Sequence, residues 1–296
     1  GFRVLKHPTK NIIYSEMQGA ENVWRSDVAN KRVKTIQPLP QKGFPKLRFN
    51  WNAPMAVSTH QPDRFYMGSQ FVHKSEDMGD TWKIISPDLT TNDKTKQEQE
   101  NSGGLSKDNS GAENHCTIFT IAESPLTDQI LWVGTDDGNV QLTKDGGKTW
   151  ENVTKNIAGL PANTWCYHIE ASVFGKEIAY AVFDGHTKND YTPYIYKTVD
   201  FGKTWQSIAT TEINTFVRNI QEDYSNPNVL YASKGSRKMG RTDNAMADAV
   251  TWSNISTYLP STLVPVNAIE THKTNDSIVY IAYNKNVYKS FNAGLS

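Results

Sequence analysis

A short phrase recurs six times along this chain, mostly at intervals of about fifty residues. Each copy follows a turn and contains two or three apolar residues, an aromatic residue and then a small residue. The aromatic members of the six copies are Tyr14, Tyr66, Trp132, Tyr180, Tyr231 and Tyr280. A fixed period of this length is the signature of repeat architectures, in which each repeat is one supersecondary unit. The chain is therefore predicted to fold as a series of similar units.

An octet with the pattern Ser/Thr-x-Asp-x-Gly-x-Thr-Trp follows several copies of this phrase. Three full copies lie at residues 75–82, 143–150 and 198–205, and a truncated copy with Asn in place of Asp lies at residues 290–296. Two eroded copies are Ser26-Asp27 and Thr242-Asp243 with Thr251-Trp252. The defining residues of the four clearer copies are Ser75, Asp77, Gly79, Trp82, Thr143, Asp145, Gly147, Trp150, Thr198, Asp200, Gly202, Trp205, Ser290, Asn292 and Gly294. Asp and Ser/Thr side chains hydrogen-bond to nearby backbone groups, and Gly reaches a positive φ without strain. The octet is thus predicted to be a structural hairpin turn, because a catalytic or metal-binding residue would be needed only once.

The octet resembles the Asp-box, or bacterial neuraminidase repeat, of sialidases, xyloglucanase-type glycosidases and the sortilin-type sorting-receptor domain. The whole chain also resembles bacterial propeller proteins called sortilin-like or glycosyl-hydrolase-like, in residues 48–54, 85–92 and 169–172. This resemblance implies an all-β protein, a β-propeller of four-stranded antiparallel blades. It also implies a protein that is secreted, periplasmic or exposed at the cell surface.

The spacing predicts four short strands in each repeat, because blades of this kind need about forty to fifty residues. The predicted blades cover residues 1–40, 47–87, 115–156, 164–210, 214–258 and 264–296 of one propeller fragment, residues 1–296. In the third blade the strands are predicted at residues 116–122, 130–135, 139–143 and 149–153. The first blade is expected to lack most of its first strand. About six blades are visible, and the chain is expected to be part of a larger propeller or a pair of propellers.

Two insertions interrupt the repeat, at residues 90–115 and 184–193. Each is either a solvated loop or a binding loop, since long loops in compact domains are often functional. Both are expected on the blade face opposite the octet turns, where a ligand would bind. The candidate ligand-binding residues on this face are Arg48, Asn50, Trp51, Asn52, His115, Trp165, His168, Glu170, Asp184, His186, Asp190, Arg218 and Arg237. Aromatic rings beside charged and amide groups suit the recognition of sugars or peptides.

A structural explanation stands beside each functional one. Trp51 and Trp165 are also compatible with core packing between blades, and His168 and Glu170 with the lining of a wet channel. The acidic residues and His186 in residues 184–190 suit turns better than a metal site, so no metal or other cofactor is predicted. Cys116 and Cys166 are expected to be free buried thiols.

Composition excludes several classes of protein. Lys+Arg and Asp+Glu both number 31, and the neutral balance argues against nucleic-acid binding. No apolar run approaches the roughly 20 residues of a membrane helix, so no direct membrane insertion is predicted. A sialidase would need clustered arginines, and nothing in the sequence brings Arg48, Arg218 and Arg237 together.

Two functions remain open. The main prediction is a non-catalytic binding propeller that recognises a protein, peptide or glycan ligand, with a subunit of an envelope complex as a variant. The alternative is a glycoside hydrolase or polysaccharide lyase that uses paired carboxylates. Its candidate carboxylates are Asp184, Asp190, Glu170, Glu113 and Asp136. Two facing carboxylates, one with a raised pKa, would favour this enzyme.

Overall fold

The computed structural model describes residues 3–98, 114–235, 238–259 and 266–295. The chain divides into two compact units, residues 1–154 and residues 155–296. Each unit contains three antiparallel sheets, and the strands of every sheet are hydrogen-bonded in chain order. Five sheets have four strands, and the described part of the sixth has three. The fold class is all-β, with the sheets as the blades of a β-propeller, which confirms the fold that the family resemblance implied.

The described residues of the first unit form twelve strands in its three sheets. They are β1 (Val4–Lys6), β2 (Ile12–Glu16), β3 (Val23–Asp27), β4 (Arg32–Thr35), β5 (Met55–Val57), β6 (Phe65–Gly68), β7 (Val72–Ser75), β8 (Lys83–Ile84), β9 (Ile118–Glu123), β10 (Leu131–Thr135), β11 (Val140–Thr143) and β12 (Glu151–Asn152).

The second unit holds eleven described strands. They are β13 (Trp165–Ala171), β14 (Ala179–Asp184), β15 (Tyr194–Thr198), β16 (Gln206–Ser207), β17 (Val217–Glu222), β18 (Leu230–Lys234), β19 (Met239–Thr242), β20 (Ser253–Asn254), β21 (Val266–Thr271), β22 (Val279–Tyr283) and β23 (Asn286–Ser290).

Helical structure in the described residues is confined to short 3-10 turns. These are Gln18–Ala20, Lys94–Lys96, Thr154–Asn156, His186–Lys188 and Ser256–Tyr258. No helix in the described part of the chain is long and apolar enough to cross a membrane.

The structure corrects two expectations about strand boundaries. The first blade does have a first strand, because β1 pairs with β2 over three residues. Two of these three residues are exposed, so the segment carries too little apolar pattern to be recognised. In the third sheet β9 begins at Ile118 rather than at residue 116, since Cys116 has a φ of 60°, outside the extended region.

The middle strands of the third and fourth sheets are deeply buried. Every residue of β10 and of β14 is buried, so these strands are apolar on both faces and show little alternation. The aromatic residue of the repeat lies in the second strand of its sheet, and Tyr14, Tyr66, Tyr180 and Tyr231 each pack in a cluster with residues of the next sheet of the same unit. Tyr14, for example, stacks on Phe65 with their ring centroids 4.5 Å apart.

Side-chain hydrogen bonds within each full octet hold its turn. Thr143 Oγ1 donates to Asp145 Oδ1 at 2.8 Å and accepts from the Gly147 N–H at 3.0 Å. The Thr149 side chain and backbone N–H both donate to Asp145, and these bonds lower the pKa of that carboxyl to about 2. The octet at residues 75–82 makes the same bonds.

The eroded octet that begins at Thr242 uses a different acceptor from the one expected. Asn244, rather than the adjacent Asp243, accepts the hydrogen bonds from Thr242 Oγ1 and the Thr251 N–H. An amide oxygen replaces the carboxylate there, and the turn is longer by three residues, since Thr251 lies seven positions after Asn244 instead of four. The turn is therefore preserved although the octet spacing is lost.

The tryptophan that ends an octet ties its sheet to the preceding sheet. The indole N–H donates to the backbone carbonyl of Ile36 from Trp82 (2.7 Å), of Ile85 from Trp150 (2.9 Å) and of Ile208 from Trp252 (2.7 Å). Each carbonyl belongs to the residue just after the last strand of the preceding sheet. The octet thus forms a turn within one sheet and a fixed contact with its neighbour.

A β-bulge interrupts the pairing of the first two strands in four of the sheets. The register shifts at these bulges leave one extra residue on the first strand, namely Phe119, Tyr167, Arg218 and Asn267. A bulge bends its strand and re-aims the extra side chain, and bulges are frequent beside functional sites. In the second unit this places Tyr167 and Arg218 close together.

Candidate functional site

Three corresponding positions on the first strands of the second unit carry acidic or amide side chains. Glu170, Gln221 and Glu270 lie opposite Tyr180, Tyr231 and Tyr280, respectively, in the sheet register. The Gln221 amide donates to a Glu170 carboxyl oxygen at 2.8 Å. The three sheets therefore present two carboxyl groups with an amide at the intervening position.

The pKa of Glu170 is raised to about 8, chiefly by burial and further by the negative charges of Glu222 and Glu270. Burial also raises the pKa of Glu270, while the Lys273 charge and a hydrogen bond from Tyr224 oppose that rise. Glu170 therefore holds its proton at neutral pH and can donate it. These two carboxyls differ in environment, as an acid and a base in one site would.

Glu222, the residue that follows Gln221, has a structural role. Its carboxylate accepts from Ser172 Oγ and from the Val173 N–H, both at 2.8 Å. In the first unit Glu123 makes the corresponding contacts with Ser58 Oγ and the Thr59 N–H, at 2.7 and 3.0 Å. Because the same pair of hydrogen bonds links neighbouring sheets in both units, these glutamates are interpreted as structural links between sheets.

A second cluster surrounds the bulge residue Arg218. The guanidinium group lies over the rings of Tyr167 and Phe216, with its carbon 5.1 and 5.0 Å from their centroids. Its Nε donates to Asp184 Oδ2 at 2.9 Å. His186 stacks on Phe216 at 5.0 Å, and its ring nitrogen lies 2.7 Å from Asp184 Oδ1. Asp184 is fully buried, so its charge is compensated by these partners.

Two residues of this cluster lie on the same strands as Glu170 and Gln221. Tyr167 lies three residues before Glu170 on β13, and Arg218 lies three residues before Gln221 on β17. Three residues of extended strand span roughly 10 Å. The second unit therefore combines a protonated carboxyl, aromatic faces and a guanidinium group over a short length of two neighbouring strands.

In the first unit the candidate residues gather around Asp136. This buried carboxyl accepts from the Thr117 N–H at 2.8 Å and from Asn50 Nδ2 at 3.0 Å. Burial raises its pKa to about 6, although nearby His115, 3.7 Å away, opposes the shift. Arg48 pairs with Asp88 at 2.8 Å.

The other predicted residues of the described ranges lie outside these two clusters. Asn52 accepts a bond from Arg3 at 3.1 Å, and Trp51 is half-buried. Asp190 accepts from the Thr192 N–H and from Tyr194 Oη, so it serves its own turn.

On β13, the Trp165 ring lies 5.7 Å from the Tyr167 ring, and His168 Nδ1 accepts from the Ile220 N–H at 3.3 Å. Cys116 and Cys166 are free and buried. No group of three potential metal-ligating residues occurs in the described ranges. Arg237 and Glu113 lie outside the described residues.

The sequence analysis missed Tyr167, Phe216, Gln221 and Glu270. One signal could have identified two of them, because Glu170, Gln221 and Glu270 each precede the repeat tyrosine by ten residues. Nothing in the sequence marks the bulges that expose Tyr167 and Arg218.

No protein-family model matches the chain. Among curated proteins, it is 25% identical over 174 residues to the oligoxyloglucan-reducing end-specific xyloglucanase of Emericella nidulans, which covers 53% of this chain and 20% of the relative. A probable enzyme of the same name from Neosartorya fischeri is 31% identical over 96 residues, 30% of this chain and 10% of the relative. The chain thus matches about a fifth or less of the length of these relatives.

Solved structures share the fold across nearly the whole chain. The GH74 enzyme of Niastella koreensis matches with a TM-score of 0.64 and 16% identity, over 98% of this chain and 44% of that one. The GH74 xyloglucanase of Xanthomonas campestris matches with a TM-score of 0.65 and 15% identity, over 97% and 44%. YCF48 bound to D1 peptide matches with a TM-score of 0.54 and 14% identity, over 99% and 81%. At these identities the likeness establishes the β-propeller fold alone.

Proposed function

We propose that this chain is part of a glycoside hydrolase that acts on a xyloglucan-like polysaccharide. The observation that carries the proposal is Glu170, a carboxyl that keeps its proton at neutral pH through burial and through the charges of Glu222 and of a second inward carboxyl, Glu270, at the corresponding position two sheets further on. Glycosidases use two such groups, one to protonate the leaving oxygen and one as base or nucleophile. The propeller fold shared with GH74 xyloglucanases favours this enzyme over the non-catalytic binding protein that the sequence analysis preferred.

Each carboxyl then has one role. Glu170 is the general acid, because its proton is retained until a glycosidic oxygen accepts it. Glu270 is assigned the role of base, because the Lys273 charge and a hydrogen bond from Tyr224 oppose the rise of its pKa that burial causes. Gln221 holds one oxygen of Glu170 through its amide and so orients the acid.

Tyr167, Phe216 and Arg218 would bind the sugar chain beside this pair. Aromatic faces and a small number of placed polar groups are typical of ligand sites. Tyr191, whose ring lies 6.0 Å from Phe216 and whose surface is 54% exposed, would extend the aromatic surface. The preference for xyloglucan rests on the names of the curated relatives. Such a substrate also supports a location outside the cytoplasm, whether secreted, periplasmic or at the cell surface.

The test measures the release of reducing ends from xyloglucan, with mannan and xylan as comparison substrates. The protein should cleave xyloglucan, and Glu170→Gln should lower the rate at least a hundredfold because the proton donor is lost. Glu212→Gln, at an exposed position of the same unit, is the matched control and should leave the rate unchanged. Absence of cleavage, or full activity of Glu170→Gln, would refute the proposal.

A second candidate is peptide recognition. The likeness to YCF48 bound to D1 peptide favours it, because that match spans 81% of the other chain. A peptide array that yields specific ligands would support this function, provided that the Glu170→Gln variant binds the same peptides and that no polysaccharide is cleaved. A protein partner in an envelope complex stays a prediction.

A further inference from the structure

A groove of about 610 Å³ lies at the outer edge of the second sheet, between β8 and the octet turn of the third sheet. Its lining residues include Lys74, Lys83, Ile84, Pro87, Gly147 and Lys148. All of them belong to the first unit and to the described part of the chain. The equivalent edge between the first and second sheets differs from this groove in its charges.

At that equivalent edge, two bases of the first sheet share one acid of the next octet. Arg25 and Lys34 lie opposite each other on β3 and β4, in the row of the repeat tyrosine Tyr14. Arg25 Nη1 lies 3.0 Å from Asp80 Oδ1, and Lys34 Nζ lies 2.6 Å from the same oxygen. Arg25 also donates to the Met78 carbonyl at 3.0 Å. Asp80, the sixth residue of its octet, thus compensates both charges.

The second sheet has the same two bases, but the next octet offers a base instead of that acid. Lys74 and Lys83 lie opposite each other on β7 and β8, in the row of the repeat tyrosine Tyr66. The sixth residue of the next octet is Lys148, where Asp80 stands in the preceding octet. Like charges directly opposite each other on neighbouring strands destabilise a sheet. The groove therefore gathers three ammonium groups where its counterpart holds a carboxylate between two bases.

The acids of the chain leave two of these three lysines unpaired. Lys74 Nζ pairs with Glu76 Oε1 at 2.8 Å, and the other oxygen of Glu76 pairs with Arg64 at 2.9 Å. Glu76 is therefore already compensated by two bases. Lys83 and Lys148 have no ion-pair partner anywhere in the described ranges.

In the second unit a corresponding base is bound by the next octet region. Lys197, opposite the repeat tyrosine Tyr180, donates to the carbonyls of Ala245 at 2.8 Å and of Ala247 at 3.3 Å. Within the part of the chain that the structure describes, Lys74 makes no such bond to the next octet. The missing acceptor is therefore a property of this groove and not of every pair of sheets.

We propose that this groove binds an extended, acidic peptide segment of a partner protein. A carboxylate of the segment lies between Lys83 and Lys148, in the place that Asp80 takes at the preceding edge. Apolar side chains of the segment cover Ile84, which is half-buried, and Pro87, which is exposed. In the described residues β8 is the outermost strand of its sheet, and such an edge can pair with an added strand. The described lining residues include no aromatic ring on which a sugar could stack, so a peptide is favoured over an acidic polysaccharide.

A labelled peptide tests the proposal. The probe is rhodamine-labelled Gly-Asp-Ile-Asp-Ile-Asp-Gly, in which acidic and apolar side chains alternate as they do along a strand. Fluorescence anisotropy against the 296-residue chain should show saturable binding. The affinity should fall at least tenfold when the ionic strength rises from about 0.05 M to about 0.5 M, because salt screens exposed charges. The same peptide with Asn in place of Asp should bind at least tenfold more weakly, since it offers no carboxylate to the lysines.

A matched pair of variants locates the binding. Lys148→Asp supplies the missing acid, as Asp80 does at the preceding edge. It should weaken peptide binding at least tenfold without lowering the melting temperature, because a carboxylate of the chain then faces the two remaining lysines. Lys203→Asp changes the sixth residue of the octet at 198–205, an exposed position of the second unit, and should leave binding unchanged.

Three results would overturn the proposal. They are equal binding of the Asp and Asn peptides, unchanged peptide binding by Lys148→Asp, and a lower melting temperature of Lys148→Asp. Binding of polygalacturonate in the same assay without binding of the peptide would also overturn it, and would assign the groove to an acidic polysaccharide. None of these outcomes depends on the cleavage of xyloglucan.

Discussion

The Gln221 amide donates a 2.8 Å hydrogen bond to Glu170, the residue at the corresponding position of the preceding sheet. An amide N–H can donate to either form of a carboxyl, and it occupies one oxygen while the other carries the proton. Burial and the charges of Glu222 and Glu270 decide which form prevails, and they favour the neutral acid. Glu170 on β13 is thus a hydrogen-bonded carboxyl whose raised pKa favours the protonated form at neutral pH.

The first prediction concerns the pH dependence of stability. The pKa of Glu170 is about 8 in the folded protein and near 4.5 when unfolded, so the folded state binds more protons between these values. The free energy of unfolding should therefore fall as pH rises from about 4.5 to 8, by at most about 1.4 kcal/mol per pH unit for one proton. Urea unfolding at several pH values should show a shallower decline for Glu170→Gln than for the parent protein. Identical pH profiles would mean that Glu170 titrates normally.

The second prediction concerns the glycine of the octet. A Cβ atom at Gly147, where φ is +95°, would lie 2.8 Å from the Ile85 carbonyl oxygen. Gly147→Ala should therefore lower the free energy of unfolding by more than about 2 kcal/mol, the upper cost of a left-handed φ alone. Gly159 also has a positive φ, but a Cβ there would meet no atom within 4 Å. Gly159→Ala should cost only about 1 kcal/mol. Equal losses in urea unfolding would contradict the close approach to Ile85.

The third prediction separates the hydrogen bond of an octet tryptophan from its packing. Trp252→Phe keeps an aromatic ring but leaves the Ile208 carbonyl without the indole N–H, at a cost of about 1–3 kcal/mol. Trp252→Ala also empties a packed site and should cost about 3–5 kcal/mol. Thermal and urea unfolding measure both losses. Trp24→Phe, at a half-buried position of β3, is the control and should cost less than either. Equal costs for Phe and Ala at position 252 would show that packing is unimportant there.

Much of the fold could be predicted because its signals are local. Each octet forms hydrogen bonds among residues at most four positions apart, so Asp77, Asp145 and Asp200 are recognisable from spacing alone. The eroded copy was harder, because Asn244 keeps the bonds while the spacing to Thr251 changes. Boundaries set by backbone conformation, such as the positive φ of Cys116, leave little trace in the sequence.

The candidate site depends on sheet register, which the sequence specifies only indirectly. Glu170 and Asp184 were among the predicted residues, but Asp184 is buried beneath Arg218 and His186 rather than open to a ligand. A bulge moves every later side chain of a strand by one position relative to its partner. The contact of Arg218 with Tyr167 follows from two such bulges, and no local pattern distinguishes them.

The last prediction tests the aromatic surface around Arg218. Lysine keeps the positive charge but lacks the planar group that lies over Tyr167 and Phe216. Arg218→Lys should therefore weaken the binding of a xyloglucan oligosaccharide about tenfold, or about 1.4 kcal/mol, because the rings lose the group that fixes them. Arg241→Lys is the matched control, because Arg241 also lies over a tyrosine ring, that of Tyr231, and also pairs with an aspartate, Asp243. Arg241 differs in position, since it lies beside the eroded octet of the fifth sheet. Calorimetric titration should show unchanged affinity for that control. If Arg218→Lys and the parent protein bind the oligosaccharide equally well, the sugar does not bind at these rings, because the substitution removes the group that positions Tyr167 and Phe216.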